Sequence, residues 1–90
     1  MKYVIFEQEK TGLKMPVIFP DHVTHNAITI EGAQPVSAGF CFIDPEMILS
    51  ISSESSDSLS LGPLPEDREL IIAMLMDMGM YVCMYAFLRF

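Results

Sequence analysis

The feature that most constrains this chain is a stretch of nineteen residues, 70–88, whose only charged residue is Asp77. Five of the eight methionines lie in it. The stretch is long enough to span a bilayer. However, a near-central aspartate opposes insertion, and the preceding residues 66–69 are mainly acidic where a cytosolic flank is usually rich in Lys and Arg. Burial against protein is therefore favoured over a membrane anchor, which we keep as an alternative.

The chain has 90 residues, so we expect one small domain over residues 1–90. Its apolar fraction of 51% is typical of a folded chain and argues against disorder. A domain of this size has few places to cover an apolar stretch without a polar face, so part of the stretch is expected to pack against another copy or a partner. The predicted interface residues are Met74, Met78, Tyr81, Met84, Tyr85 and Phe87.

The charge balance limits the class of partner. Twelve acidic and five basic side chains give a net charge of −7, and the basic residues do not cluster. Direct binding to a nucleic-acid backbone is not expected, because it needs several Lys or Arg side chains acting together. The acidic surface suits basic partners or simply keeps the protein soluble.

The first part of the sequence predicts a β-hairpin. Lys2–Gln8 and residues 15–19 are β-rich runs, and Gly12 between them can supply the positive φ that a tight turn requires. Pro16 has no N–H for a ladder, which places the second run at a sheet edge or confines proline to its start. Asp21 can then cap a helix, and the segment up to Gly32 is expected to form a short helix or a couple of turns.

The middle of the chain predicts a three-strand meander over residues 36–43, 47–52 and 57–61. In the last two runs Leu and Ile alternate with Ser, which indicates one dry face and one wet face. The fold class is therefore α+β, with an antiparallel sheet of about five strands.

A C-terminal helix follows, and we expect it to pack on the apolar face of the sheet. Pro65 suits the first helical position, and Glu66, Asp67 and Glu69 favour the positive end of the helix dipole. Gly79 suits the residue just after a helix. Beyond it, a sixth strand and a continued helix are both open.

Asp21, His22 and His25 are the only residues that suggest a metal or catalytic site. Two histidines three positions apart can share a helix face. No further ligand pattern accompanies them, so exposed or capping histidines are favoured over a metal site. The sequence has no nucleophile elbow, phosphate-binding glycine loop or dinucleotide motif, and we expect neither a cofactor nor an enzymatic activity.

Cys41 and Cys83 lie among apolar neighbours and are expected to be buried thiols. Two cysteines in a chain whose start does not resemble a secretion signal indicate a reducing compartment, so the cytoplasm is the expected location.

Three segments, residues 16–25 (PVIFPDHVTH), 35–40 (PVSAGF) and 58–62 (SLSLG), followed by Pro65-Glu66-Asp67, resemble small proteins of tailed bacteriophages and prophages that have no assigned function. The resemblance covers about residues 2–73. It implies an accessory protein in the cytoplasm of the host cell and no active residues. Residues 80–90 would be an extension relative to such proteins.

The leading hypothesis is a non-enzymatic interaction protein that forms a homo-oligomer or engages a host or virion protein. One alternative is an acidic inhibitor that mimics nucleic acid and occupies a basic groove of a host protein. The other is a small protein anchored in a membrane by its C-terminal stretch.

Overall fold

The chain begins with the β-hairpin that its sequence predicts. The computed structural model describes residues 1–79, in which β1 (Lys2–Gln8) and β2 (Lys14–Phe19) pair antiparallel. In the turn, Gly12 has a φ of 72° and its N–H donates to the carbonyl oxygen of Gln8 at 2.8 Å. Glycine adopts this left-handed backbone without steric cost, so its predicted role is confirmed.

The hairpin is part of a four-stranded antiparallel sheet. β3 (Ala33–Ile43) pairs with β1, and the short β4 (Leu49–Ile51) pairs with β3, which gives the order β2-β1-β3-β4. A register shift lies between Ile5 and Phe6 of β1. The strand that contains Pro16 is an edge strand, as the proline predicts.

Helix α1 (Asp67–Asp77) packs on one face of the sheet, so the α+β class is confirmed. A hydrophobic core lies between the helix and strands β1, β3 and β4. Its buried residues are Tyr3, Ile5, Cys41, Leu49, Ile71, Ile72 and Leu75.

The opposite face of the sheet is also covered. A second core there contains Val4, Phe6, Phe19 and Ala38, and side chains from the loop before β3 and from the segment after β4 pack on it. All four side chains of Tyr3-Val4-Ile5-Phe6 are therefore buried, which explains why this central strand is a continuous apolar run and does not alternate.

The predicted strand over residues 57–61 is wrong. This segment is a turn with a single bridge between Ser56 and Leu61, and Ser60 has a φ of 55°. The buried hydroxyl of Ser56 accepts the N–H of Leu59 at 3.3 Å, and such local bonds compete with a strand ladder. The described residues thus form four strands, while the predicted sixth strand lies outside them.

Two helix starts also differ from the predictions. The segment after Asp21 forms only one 3₁₀ turn, His25–Ala27, and Asp21 does not cap it. Asp21 instead lies 3.2 Å from the amino group of Met1. In α1 the helix begins at Asp67, two residues after Pro65, and it ends before Gly79, whose φ is 82°.

Candidate interaction surfaces

An apolar groove of roughly 400 Å³ lies between β2 and the last turn of α1. We call it the methionine groove, and it is lined by Met1, residues 16–18, Ile43, Met74, Leu75 and Met78. The side chain of Met78 is 68% exposed and that of Met76 is 45% exposed. This end of the helix therefore presents apolar side chains to solvent, whereas the solvent face of a surface helix usually carries polar side chains.

Two of the six predicted interface residues, Met74 and Met78, line this groove together. Met74 also packs against the core under α1, so it connects the groove to the interior. The other four, Tyr81, Met84, Tyr85 and Phe87, lie outside the described residues.

The structure does not bring the candidate metal ligands together. His25 is buried, and its Nε2 lies 2.8 Å from the carbonyl oxygen of Gly39, while His22 and Asp21 are exposed. The ring of His25 also forms T-shaped contacts with the rings of Phe19 and Phe40, at interplanar angles of 83° and 89°. The expectation that both histidines are exposed or capping is therefore wrong for His25. Within residues 1–79, no group of three or more His, Cys, Asp or Glu side chains is placed to hold a metal ion.

A buried polar network that the sequence did not reveal joins α1 to the sheet. Asp67 is fully buried and accepts hydrogen bonds from the hydroxyl of Tyr3 at 2.7 Å and from that of Ser37 at 2.8 Å. It also accepts the backbone N–H of Leu64 at 2.9 Å. Three donors thus satisfy one buried carboxylate, which is the condition for such a group to be tolerated in a core.

Two buried titratable groups, Tyr3 and Cys41, hold their protons tightly. Burial, followed by the hydrogen bond to Asp67 and the charge of Asp67, raises the pKa of Tyr3 well above its usual value of 10.0. Burial also raises the pKa of the Cys41 thiol. Neither group is therefore activated as a nucleophile or base, since a reactive thiol needs a lowered pKa. We assign both to the packing of the core.

A second open cleft, of roughly 700 Å³, runs along β4. We call it the β4 cleft, and it is lined by residues 48–53, residues 63–65 and Arg68. The side chain of Arg68 crosses its end, where Nε donates to the carbonyl oxygen of Leu49 at 3.0 Å. The sequence does not indicate this cleft, because the edge position of β4 follows from long-range strand pairing that no local pattern predicts.

The membrane alternative concerns residues 70–88, of which residues 80–88 lie outside the described residues. Among residues 1–79, no helix is both long and apolar enough to cross a bilayer.

Comparisons of the chain with protein-family models, with curated proteins and with solved structures found no match. The resemblance to phage proteins therefore stays a prediction from the sequence.

Proposed function

We propose that the chain is a non-enzymatic interaction protein that self-associates through the methionine groove and through residues 80–90, which follow it in sequence. The observation that carries the proposal is the 68% exposure of Met78 at the point where α1 ends beside an apolar groove. Ten of the eleven residues 80–90 are apolar, and the other is Arg89. A second copy that packs here would remove the exposed side chains of Met76 and Met78 from water.

Methionine suits such a contact. Its unbranched, polarizable side chain adapts to irregular surfaces. Burying the exposed part of Met78 contributes about 1 to 2 kcal/mol, and a two-fold symmetric contact gains this contribution twice.

Four buried titratable groups make structural contacts, which supports an interaction role over an enzymatic one. Asp67 and Tyr3 are used to attach α1 to the sheet, and His25 attaches the 3₁₀ turn to β3. Cys41 lies in the core under the helix. Each of these groups is engaged in holding the fold together, and their burial keeps them away from substrates.

The resemblance of residues 2–73 to phage proteins supplies the setting of the proposal. We place the protein in the cytoplasm of a bacterial host cell, where a host or virion protein is the second candidate partner. A further strand after Gly79, which the sequence gives as one alternative, belongs to the same proposal, because a strand could pair with its equivalent in another copy.

Substitution of Met78 by glutamate tests the proposal. The matched control is Leu13→Glu, because Leu13 is 59% exposed in the hairpin turn and the change adds the same charge. We expect Met78→Glu and Tyr85→Glu to weaken self-association by about tenfold or more, equivalent to 1.4 kcal/mol, in sedimentation velocity. Leu13→Glu should behave like the wild type.

Equal sedimentation of all three variants and the wild type would contradict the proposal. Flotation of the chain with phosphatidylcholine vesicles provides the other decisive readout. Binding to vesicles that Tyr85→Glu abolishes would favour the membrane alternative and count against self-association.

A further inference from the structure

The β4 cleft exposes the backbone of an edge strand. The N–H of Ser52 donates to the carbonyl oxygen of Phe40, and the N–H of Asp44 donates to that of Ile48. The backbone N–H and C=O groups of residues 48, 50 and 52 therefore point toward β3. Because antiparallel pairing alternates, the N–H and C=O groups of Leu49 and Ile51 point away from β3. The carbonyl oxygen of Leu49 accepts a hydrogen bond from Nε of Arg68. Within residues 1–79, no backbone group bonds to the outward N–H or C=O group of Ile51.

The other edge of the sheet is protected. The N–H of Gln8 donates to the carbonyl oxygen of Leu13, so by the same alternation Pro16 is among the residues of β2 that point outward. Proline has no N–H to offer there, which is a common way to prevent edge-to-edge pairing. Among residues 1–79, the outer edge of β4 is therefore the better place to add a strand.

The wall opposite β4 can take apolar side chains. Pro63, Leu64 and Pro65 form it, and Leu64 is 40% exposed. Residues 48–53 together span about 20 Å in an extended conformation, which matches a segment of five or six residues. An added strand would place alternate side chains against this wall, as in other complexes that extend a sheet.

The charges around the β4 cleft select the occupant. Glu54 follows the lining residue Ser53, and Glu69 follows Arg68, and both carboxylates are exposed. Glu66 lies just beyond residues 63–65, but its carboxylate is already paired with Nζ of Lys14 at 3.5 Å. Arg68 is the cationic residue of the lining, and its Nε is bonded to the carbonyl oxygen of Leu49. Pairing of β4 with β4 of a second copy would bring these acidic rims together, whereas a basic segment complements them.

We propose that the β4 cleft binds an extended segment of a partner protein that carries Lys or Arg at its ends and apolar side chains between them, and that this segment adds to the sheet beside β4. This site is separate from the methionine groove. Its failure would leave the proposed self-association untouched.

The test is NMR titration of the full-length ¹⁵N-labelled chain with the blocked peptide Lys-Val-Thr-Val-Thr-Val-Lys. We expect the amide signals of Leu49 and Ile51 to shift and both amides to become protected from hydrogen exchange. A peptide with glutamate in place of both lysines should bind about tenfold more weakly, a difference of 1.4 kcal/mol. A peptide N-methylated at its central valine should lose binding, because strand addition uses backbone hydrogen bonds.

Two variants of the chain separate the contribution of the backbone hydrogen bonds from that of the acidic charges. Ile51→Pro removes an outward N–H without removing a bond to β3, and it should reduce binding. The double variant Glu54→Lys/Glu69→Lys should reverse the preference between the lysine and glutamate peptides. It also keeps the proposal testable if Ile51→Pro does not fold.

Three results would overturn the inference. The first is the absence of shifts at Leu49 and Ile51 at millimolar peptide. The second is equal binding of the N-methylated peptide. The third is protection of both amides in the free protein, because the chain itself would then occupy the cleft.

Discussion

Asp67 shows how much one residue can depend on partners far away in the sequence. The sequence predicts it only as an acidic residue in the first turn of a helix, like Glu69. Its partners Tyr3 and Ser37 are 64 and 30 positions away, so no local pattern could reveal that Asp67 is buried and Glu69 is exposed. The role of Asp67 follows from the way α1 lies on the sheet.

Removal of the Asp67 carboxylate should destabilise the fold strongly. Asp67→Ala leaves the hydroxyls of Tyr3 and Ser37 and the N–H of Leu64 without their acceptor. The two hydroxyls are buried, whereas the N–H of Leu64 is partly accessible to water. Because each unpaired buried donor costs about 1 to 3 kcal/mol, we expect a loss of at least about 2 kcal/mol in the free energy of unfolding, measured with urea. Glu69→Ala should cost less than about 1 kcal/mol. Similar losses for the two variants would show that the network adds no net stability.

Tyr3 makes a specific contribution to the pH dependence of stability. Its pKa is raised in the folded state by burial and by Asp67, so the folded chain holds this proton more tightly than the unfolded chain. The contribution is complete below pH 10.0, the ordinary pKa of the phenol, and is lost as the pH rises above it. Above that value the free energy of unfolding should fall by up to about 1.4 kcal/mol per pH unit on account of Tyr3.

The comparison with Tyr3→Phe isolates this effect. The variant should be less stable near neutral pH but should lose stability less steeply above pH 10.0, because its ring has no proton to lose. Tyr81 and Tyr85 are present in both proteins and cancel in the difference. Parallel pH profiles of the wild type and Tyr3→Phe would contradict the assigned role.

At the scale of elements, the sequence predicts features that depend on backbone geometry. Gly12 in the hairpin turn, Pro16 on an edge strand and Gly79 after the helix all lie where their conformational preferences indicate. Predictions from the alternation of apolar and polar side chains were less accurate than those from backbone geometry. The Ser and Leu pattern of residues 57–61 resembles a strand, but the buried hydroxyl of Ser56 bonds locally and the segment turns.

The hairpin turn offers a simple measurement at this scale. Gly12 has a φ of 72°, and no atom lies within 4 Å of where a Cβ would be, so a substitution there is strained by the backbone alone. Gly12→Ala should lower the free energy of unfolding by about 1 kcal/mol. Gly12→Asn should cost less, because asparagine tolerates this conformation better. Equal losses for the two variants would contradict this explanation.

At the scale of the whole molecule, both faces of a four-stranded sheet are covered by one helix and by loops. Within residues 1–79, the side chains of Met76 and Met78 at the end of α1 stay exposed. Two of the predicted interface residues, Met74 and Met78, line one groove, and their role in an interface stays a prediction. The β4 cleft could not be predicted, because it arises only when β3 places β4 at the sheet edge.

The net charge of −7 acts against the apolar surface in self-association. Copies of the chain repel one another at low ionic strength, and salt screens this repulsion over distances of about 10 Å at 0.1 M. Self-association driven by apolar contact should therefore strengthen with added salt.

Self-association can be measured by sedimentation equilibrium of the wild-type chain at several concentrations of protein and salt. We expect an average mass that rises with concentration to a multiple of the single-chain mass, and that rises further with salt. A chain that keeps the mass of a single copy at millimolar concentration and 0.5 M salt would contradict it.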